Sequence, residues 1–192
     1  MADWDARYNA PEYIFGKEPS GFLAEHANLL PAKGRALALA EGEGRNAVFL
    51  AKHGLKVDAC DLSAPAIKKL KRLASDEHVT VNAFVADLET YEIAQASYHV
   101  IICFHYFDRA LIPRIIGGLH VGGLAIMEVF TVDNIRRGFR GPTEKKFCAE
   151  KNELAQLFTG LEILEYREGI VENRKAVASI IARKNRSDES PG

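Results

Sequence analysis

The residues best suited to chemistry lie in one stretch, R-A-L-A-L-A-E-G-E-G-R-N-A-V-F-L-A-K-H-G-L-K-V-D-A-C-D-L-S, residues 35–63. Gly42 and Gly44 let the backbone approach a ligand closely, and their turn runs straight into an apolar segment of helical spacing whose first N–H groups lack partners within the helix. Asp61 follows 17 residues after Gly44, where a carboxylate can accept the hydroxyls of a ribose. Glycine turn, helix N-terminus and acid together predict a nucleoside-cofactor site. Further candidates end other apolar runs: Asp87 after V-T-V-N-A-F-V-A, and Phe104, His105 and Tyr106 closing Y-H-V-I-I-C-F-H-Y.

Positioning these residues requires a sheet. Strands are predicted at 36–40, at the run ending on Asp61, at 79–87, at the doubly buried run 98–106 and at 124–130 after Gly122-Gly123. Between them fall a helix from the glycine turn to about residue 53, one at 64–74 capped by Ser63, and one at 109–119. In the 64–74 helix Ala66, Ile67, Leu70, Leu73 and Ala74 form the apolar stripe, and Lys68, Lys69, Lys71 and Arg72 are expected to face water. A short helix is expected at 22–30 and a last one at 150–158. Two terminal runs joined at 169–175 read as an antiparallel pair. The expected architecture is α/β: a mostly parallel, Rossmann-like sheet of seven strands with helices on both faces and an antiparallel last strand. Ligands of such sheets sit beyond the carboxyl ends of the strands, which is where the candidates fall.

Residues 1–21, rich in aromatics and broken by Pro11, Gly16, Pro19 and Gly21, are expected to form a lid on a single domain of residues 1–185, with 186–192 a polar, disordered tail. The 131–148 segment, carrying Arg136, Arg137, Arg140, Lys145 and Lys146, reads as an irregular, partly mobile loop whose cations either gather a small anionic substrate or simply face water. The 192 residues carry 25 basic and 26 acidic side chains, a balance that gives no field to recruit nucleic acid or an anionic membrane. No apolar run approaches the roughly 20 residues a membrane span needs. Three scattered cysteines and histidines without ligand spacing predict neither a disulfide framework nor a metal site, and a cytoplasmic monomer or homodimer is expected.

W-D-A-R-Y, Y-I-F-G-K-E-P-S-G-F-L, A-E-G-E-G-R-N-A-V-F-L-A joined to D-L-S, A-D-L and R-G-P resemble class I S-adenosylmethionine-dependent methyltransferases, in the small branch related to the tellurite-resistance methyltransferase. The resemblance spans the chain except its tail. It implies S-adenosylmethionine as cofactor and S-adenosylhomocysteine as product, with Gly42 and Gly44 against the methionine and ribose portion and Asp61 on the ribose hydroxyls. It also implies Leu62 on one face of the adenine and Asp87 with the Leu88 amide at its edge. One departure stands out: most class I enzymes carry an acid and then a glycine where this chain has Ala38 and Ala40, so Glu41 becomes the candidate for the cofactor's ammonium. Glu43 and Asn46 can equally serve the turn and the first helical turn. A second departure is Glu172-Asn173-Arg174-Lys175, where relatives tend to show E-G-x-x-H, which leaves a substrate-contacting histidine missing.

Methyl transfer from a sulfonium needs alignment and exclusion of water rather than a nucleophilic triad. His105 and Tyr106 are the candidates for positioning or deprotonating the acceptor, and Phe104 lines the cofactor pocket. Trp4, Tyr8, Tyr13 and Phe15 can close over a cation, and Arg7 can bind the cofactor carboxylate or an anionic acceptor. The partner expected is a small molecule, anionic in one reading. Two rival readings share the strand, turn and acid. A nicotinamide oxidoreductase would want G-x-G-x-x-G where the chain has G-E-G-R-N-A. A cofactor-binding sensor or partner subunit would keep the pocket without catalysis.

Overall fold

Pro11, Pro19 and the neighbouring glycines allow only short helices ahead of the sheet, α1 (Trp4–Tyr8) and α2 (Gly21–Glu25). The computed structural model of the chain describes residues 4–185, so the expectation for the tail at 186–192 lies outside the described residues. The chain divides into two compact units, Met1–Tyr91 and Glu92–Gly192.

In the first unit, small and aliphatic residues buried along both faces make β1 (Arg35–Leu39), followed by α3 (Arg45–Lys52), β2 (Lys56–Asp61), α4 (Ala64–Asp76) and β3 (Val81–Val85). β1 pairs with β2 and β2 with β3, all parallel, and the register sets Asp61 opposite Val85. α4 starts where expected: the Ala66 amide donates to Ser63 Oγ (3.4 Å), and Ala66, Ile67, Leu70, Leu73 and Ala74 are its buried residues. Lys69 departs from the expected solvated face, for reasons given below.

The second unit holds β4 (Tyr98–Phe104), α5 (Leu111–Gly118), β5 (Leu119–Phe130), α6 (Val132–Arg136), α7 (Glu153–Leu157), β6 (Glu162–Val171) and β7 (Lys175–Arg183). β4 stops two residues short of the expected strand because His105 turns into left-handed backbone at φ 62°. β5 begins directly after α5, and its pairing jumps from Tyr98↔Leu119 to Val100↔Leu124, so Gly122-Gly123 form a bulge inside the strand instead of a turn before it. β7 runs antiparallel to both β5 and β6. Their hairpin turns at Glu172 and Asn173, both at positive φ, with the Arg174 amide donating to the Val171 carbonyl (3.1 Å), the backbone of a primed turn.

The expected irregular loop at 131–148 contains α6 and a 3₁₀ turn at Lys145–Phe147. Asn134, wholly buried, organises it: Oδ1 accepts from the Ala176 amide (2.9 Å) and Nδ2 donates to the carbonyls of Phe139 and Arg140. The expected helix at 150–158 shrinks to α7. The seven strands form one sheet in the order β3-β2-β1-β4-β5-β7-β6, the mixed α/β architecture that the alternation of elements predicts. Cys60, Cys103 and Cys148 are buried and free. Among the described residues no helix is long and apolar enough to cross a membrane.

Candidate active site

The glycine turn is built around Glu41. α3 opens at Gly44, which has no side chain to cap it, and Glu41 supplies the missing oxygen from three residues upstream. Its Oε1 accepts from the amides of Asn46 (2.8 Å) and Ala47 (2.7 Å). Burial, the largest influence, pushes the Glu41 carboxyl up to about 7 against the pull of those two amides. Just before it Ala40 sits at φ 48°, a left-handed conformation. The backbone bend that glycine would favour is therefore kept with alanine in place.

Asp61 ties this turn to the end of β2. Its Oδ2 accepts from the Gly42 amide (2.8 Å) and its Oδ1 from the Ser63 amide (2.9 Å). Burial raises the Asp61 carboxyl, and the Ser63 and Gly42 amides oppose the shift. The Leu62 amide adds to this pull, and a carboxylate with about four acceptor sites still keeps capacity for a further donor. The two glycines of the motif differ in what they face. A Cβ on Gly42, at φ 62°, would lie 2.7 Å from Tyr8 Oη, whereas one on Gly44, at φ 98°, would lie 2.4 Å from Leu70 Cγ. Gly44 is thus required by the packing of α4 as well as by its own backbone.

The other motif side chains clasp the N-terminal segment. Glu43, buried, accepts Lys69 Nζ (2.7 Å) on Oε1 and the Phe15 amide (3.4 Å) on Oε2. Arg45 donates to the Phe15 carbonyl (3.1 Å), and Asn46 Oδ1 accepts the Ser20 amide (2.8 Å). Lys69 also donates to the Glu12 carbonyl (2.7 Å), and its side chain is 15% exposed, so it belongs to this clasp and not to a solvated face. Tyr13 packs away from the turn, its hydroxyl donating to the Lys69 carbonyl (3.1 Å). Tyr8 stacks on Trp4 (5.6 Å) and meets Phe15 edge-on (6.4 Å), and the Arg7 guanidinium lies 4.5 Å from the Trp4 ring centre. Tyr8 is buried, and burial, followed by Asp61 and Glu43, pushes its hydroxyl well above the usual tyrosine range.

Beyond Asp61, Leu62 leaves 55% of its surface exposed and Val85 remains exposed as well, an uncovered apolar pair beside a buried acid. Asp87 is exposed and starts a turn, its Oδ1 accepting the Glu89 amide (2.9 Å), while Leu88 is buried.

Phe104, His105 and Tyr106 belong to the second unit. There a residue missed in the sequence, Glu128 of β5, is buried with Oε1 accepting Lys175 Nζ (2.6 Å) and Oε2 accepting Ser179 Oγ (3.0 Å). His105 Nε2 lies 3.6 Å from Oε1, and its ring packs on Phe130 (5.1 Å). Lone acid that it is within the apolar L-A-I-M-E-V-F, Glu128 did carry a signal. Lys175, which closes the 172–175 stretch and opens β7, is its partner. Among the described residues no group of three or more histidines, cysteines and acids is arranged to hold a metal ion.

The model of the family described as tellurite resistance protein TehB matches residues 17–184. Two curated proteins from Haemophilus influenzae strains 10810 and Rd, each named "Probable S-adenosyl-L-methionine-dependent methyltransferase TehB", are 27% identical over 149 residues, 73% of this chain and 50% of theirs. The chain therefore spans about half the length of these curated relatives. The crystal structure of TehB from Haemophilus influenzae superposes with a TM-score of 0.72 at 22% identity, covering 95% of this chain and 66% of that one. Geranyl diphosphate C-methyltransferase from Streptomyces coelicolor, in complex with Mg2+, geranyl diphosphate and S-adenosyl-L-homocysteine, gives a TM-score of 0.66 at 14% identity, over 85% of this chain and 78% of that one. These two likenesses speak for the fold. With the family model matched over residues 17–184, the chain belongs to the tellurite resistance protein TehB family.

Proposed function

We propose that this chain is an S-adenosylmethionine-dependent methyltransferase acting on a small-molecule acceptor. One observation carries the reading: a buried carboxylate, Asp61, bonded to the Gly42 amide and bordered by the exposed apolar pair Leu62 and Val85. An acid with lone pairs to spare beside bare apolar surface fits a ribose diol joined to a flat base. The residues present therefore fit the adenosyl group. Asp61 takes the ribose hydroxyls, Leu62 packs on the adenine, and Asp87 with the Leu88 amide meets its edge. Gly42 and Gly44 carry the turn beneath the methionine portion, Glu41 serves the ammonium through Oε2, and Arg7 serves the carboxylate. Asn46 holds the lid at Ser20, and Tyr8 moves aside from Gly42 to admit the ligand.

When bound, the cofactor supplies a methyl group on a sulfonium whose leaving group is a neutral thioether. The aromatic lid excludes water and favours a cation over its ring faces. His105 and Tyr106, with Phe104 beside them, orient the acceptor and receive its proton. The acceptor class we favour is a small protic anion, in keeping with the tellurite-resistance name of the family, and the setting is a cytoplasmic monomer or homodimer without nucleic-acid or membrane partners. Melting temperatures with S-adenosylmethionine, S-adenosylhomocysteine and NAD test the reading, because a ligand that binds the native state raises them by mass action. Both adenosyl ligands should stabilise. Stabilisation by NAD alone overturns the proposal, and tight adenosyl binding with no turnover on thiols, amines or oxyanions would leave a sensor.

A further inference from the structure

Glu128 is only 2% exposed, and its surroundings are costly for a structural strand residue. An ionised carboxylate shut into a sheet gives up more hydration than one pair usually returns, and an apolar side chain would serve the strand better. Burial, the largest influence on it, pushes the carboxyl up, but the Lys175 ammonium, His105 and Ser179 together outweigh burial and hold it below the ordinary range. His105 and Lys175 are each about a quarter exposed, at 25% and 26%, so two heads reach outward from one buried charge. Backbone adds a second constraint: His105 is held at φ 62° with its amide donating to the Glu128 carbonyl (2.7 Å). A non-glycine residue kept in that region marks a site whose geometry is imposed. Because His105 Nδ1 is buried, Nε2 is the nitrogen that can meet a ligand.

We propose that Glu128 is a positioning residue that holds Lys175 and directs His105 Nε2 as the proton acceptor for a protic methyl acceptor: a thiol, a hydroxyl or a protonated oxyanion. The proposal rests on the methyltransferase reading. The acceptor's X–H bond breaks, its proton goes to Nε2, and the electron pair stays on X as the nucleophile. The imidazolium so formed faces an ionised carboxylate 3.6 Å away, while Lys175 keeps that carboxylate ionised and in place. Among the described contacts, the charged group facing His105 is Glu128 from β5, which Lys175 at the start of β7 binds in turn. Ser179 of β7 adds a hydroxyl to the cluster, and Phe104 and Phe130 present rings.

NMR titration of the His105 ring in the full chain, its signal assigned by loss in H105Q, tests the coupling. The midpoint should fall by about one pH unit or more in E128Q, and fall as well in K175M, where the buried carboxylate loses the ammonium that keeps it ionised. The acid limb of kcat/KM for homocysteine-product release with a small thiol or selenite should move with the ring. Midpoints unmoved in both variants overturn the inference. Should E128Q fail to fold, K175M decides alone, and an unmoved midpoint overturns it. S-adenosylhomocysteine binding, measured on the same samples, separates the two levels: its absence in the parent would sink the methyltransferase reading instead.

Discussion

Replacing Glu41 with glutamine asks whether this residue stabilises the turn as a charge or as a hydrogen-bond acceptor. Both amides it caps, those of Asn46 and Ala47, bond a single oxygen, Oε1, and glutamine offers the same carbonyl oxygen in the same place. Burial lifts the carboxyl from 4.5 to about 7, so the folded state binds its proton more tightly than the unfolded chain across that window. The stabilisation from the protonated form is fully present below pH 4.5 and is lost as pH rises through about 7. At 1.36 kcal/mol per pKa unit the loss amounts to about 3 kcal/mol. Glutamine does not titrate, so urea denaturation of parent and E41Q at several pH values between 4.5 and 8 isolates the effect. The variant should gain about 3 kcal/mol on the parent between the two ends of that range. A difference that does not change with pH, or a variant weaker than the parent at pH 8, would refute the reasoning and make Glu41 a charged cap.

Three further substitutions probe the same unit. Ala40→Gly relaxes a left-handed alanine, and urea denaturation should find it neutral or more stable by up to about 1 kcal/mol; a loss larger than that would contradict the strain. Gly44→Ala drives a Cβ to 2.4 Å from Leu70 Cγ and 3.0 Å from its Cα at φ 98°, so stability should drop by more than about 2 kcal/mol, and a tolerated alanine would show that α4 can yield. Lys69→Met leaves Glu43 buried without its ion pair. It should cost about 3 kcal/mol and speed amide exchange at Phe15, whereas unchanged exchange would mean the lid does not depend on this clasp.

Periodicity made the frame readable. The stripe of α4 and its Ser63 cap, the apolar runs of β1, β2 and β4 and the antiparallel ending all follow from burial patterns local to their own segments. The acids at strand ends were readable for the same reason. Partners distant in sequence were not: Lys69 sits on the polar side of a helical wheel, and only folding brings it to Glu43, 26 residues away. Glu128 and Lys175 stand 47 residues apart on strands that become neighbours through the β5–β7 pairing. Motif resemblance likewise assigned both glycines one role, while the backbone sets Gly42 against Tyr8 and Gly44 against Leu70. The glycine expected at position 40 is absent, yet Ala40 holds the left-handed backbone, φ 48°, that glycine favours.

Calorimetric titration of S-adenosylhomocysteine into the parent, Asp61→Ala and Leu62→Ala tests the proposed adenosyl site most directly. Two charge-assisted hydrogen bonds to the ribose are worth about 3 kcal/mol, so Asp61→Ala should bind about 100-fold more weakly. Leu62 is 55% exposed, so Leu62→Ala should keep the parent's melting temperature and still lose about fivefold in affinity. Saturable binding in the parent with both losses is the predicted result. Equal affinity in all three proteins, or no binding by the parent, would contradict the assignment of Asp61 and Leu62 to an adenosyl ligand.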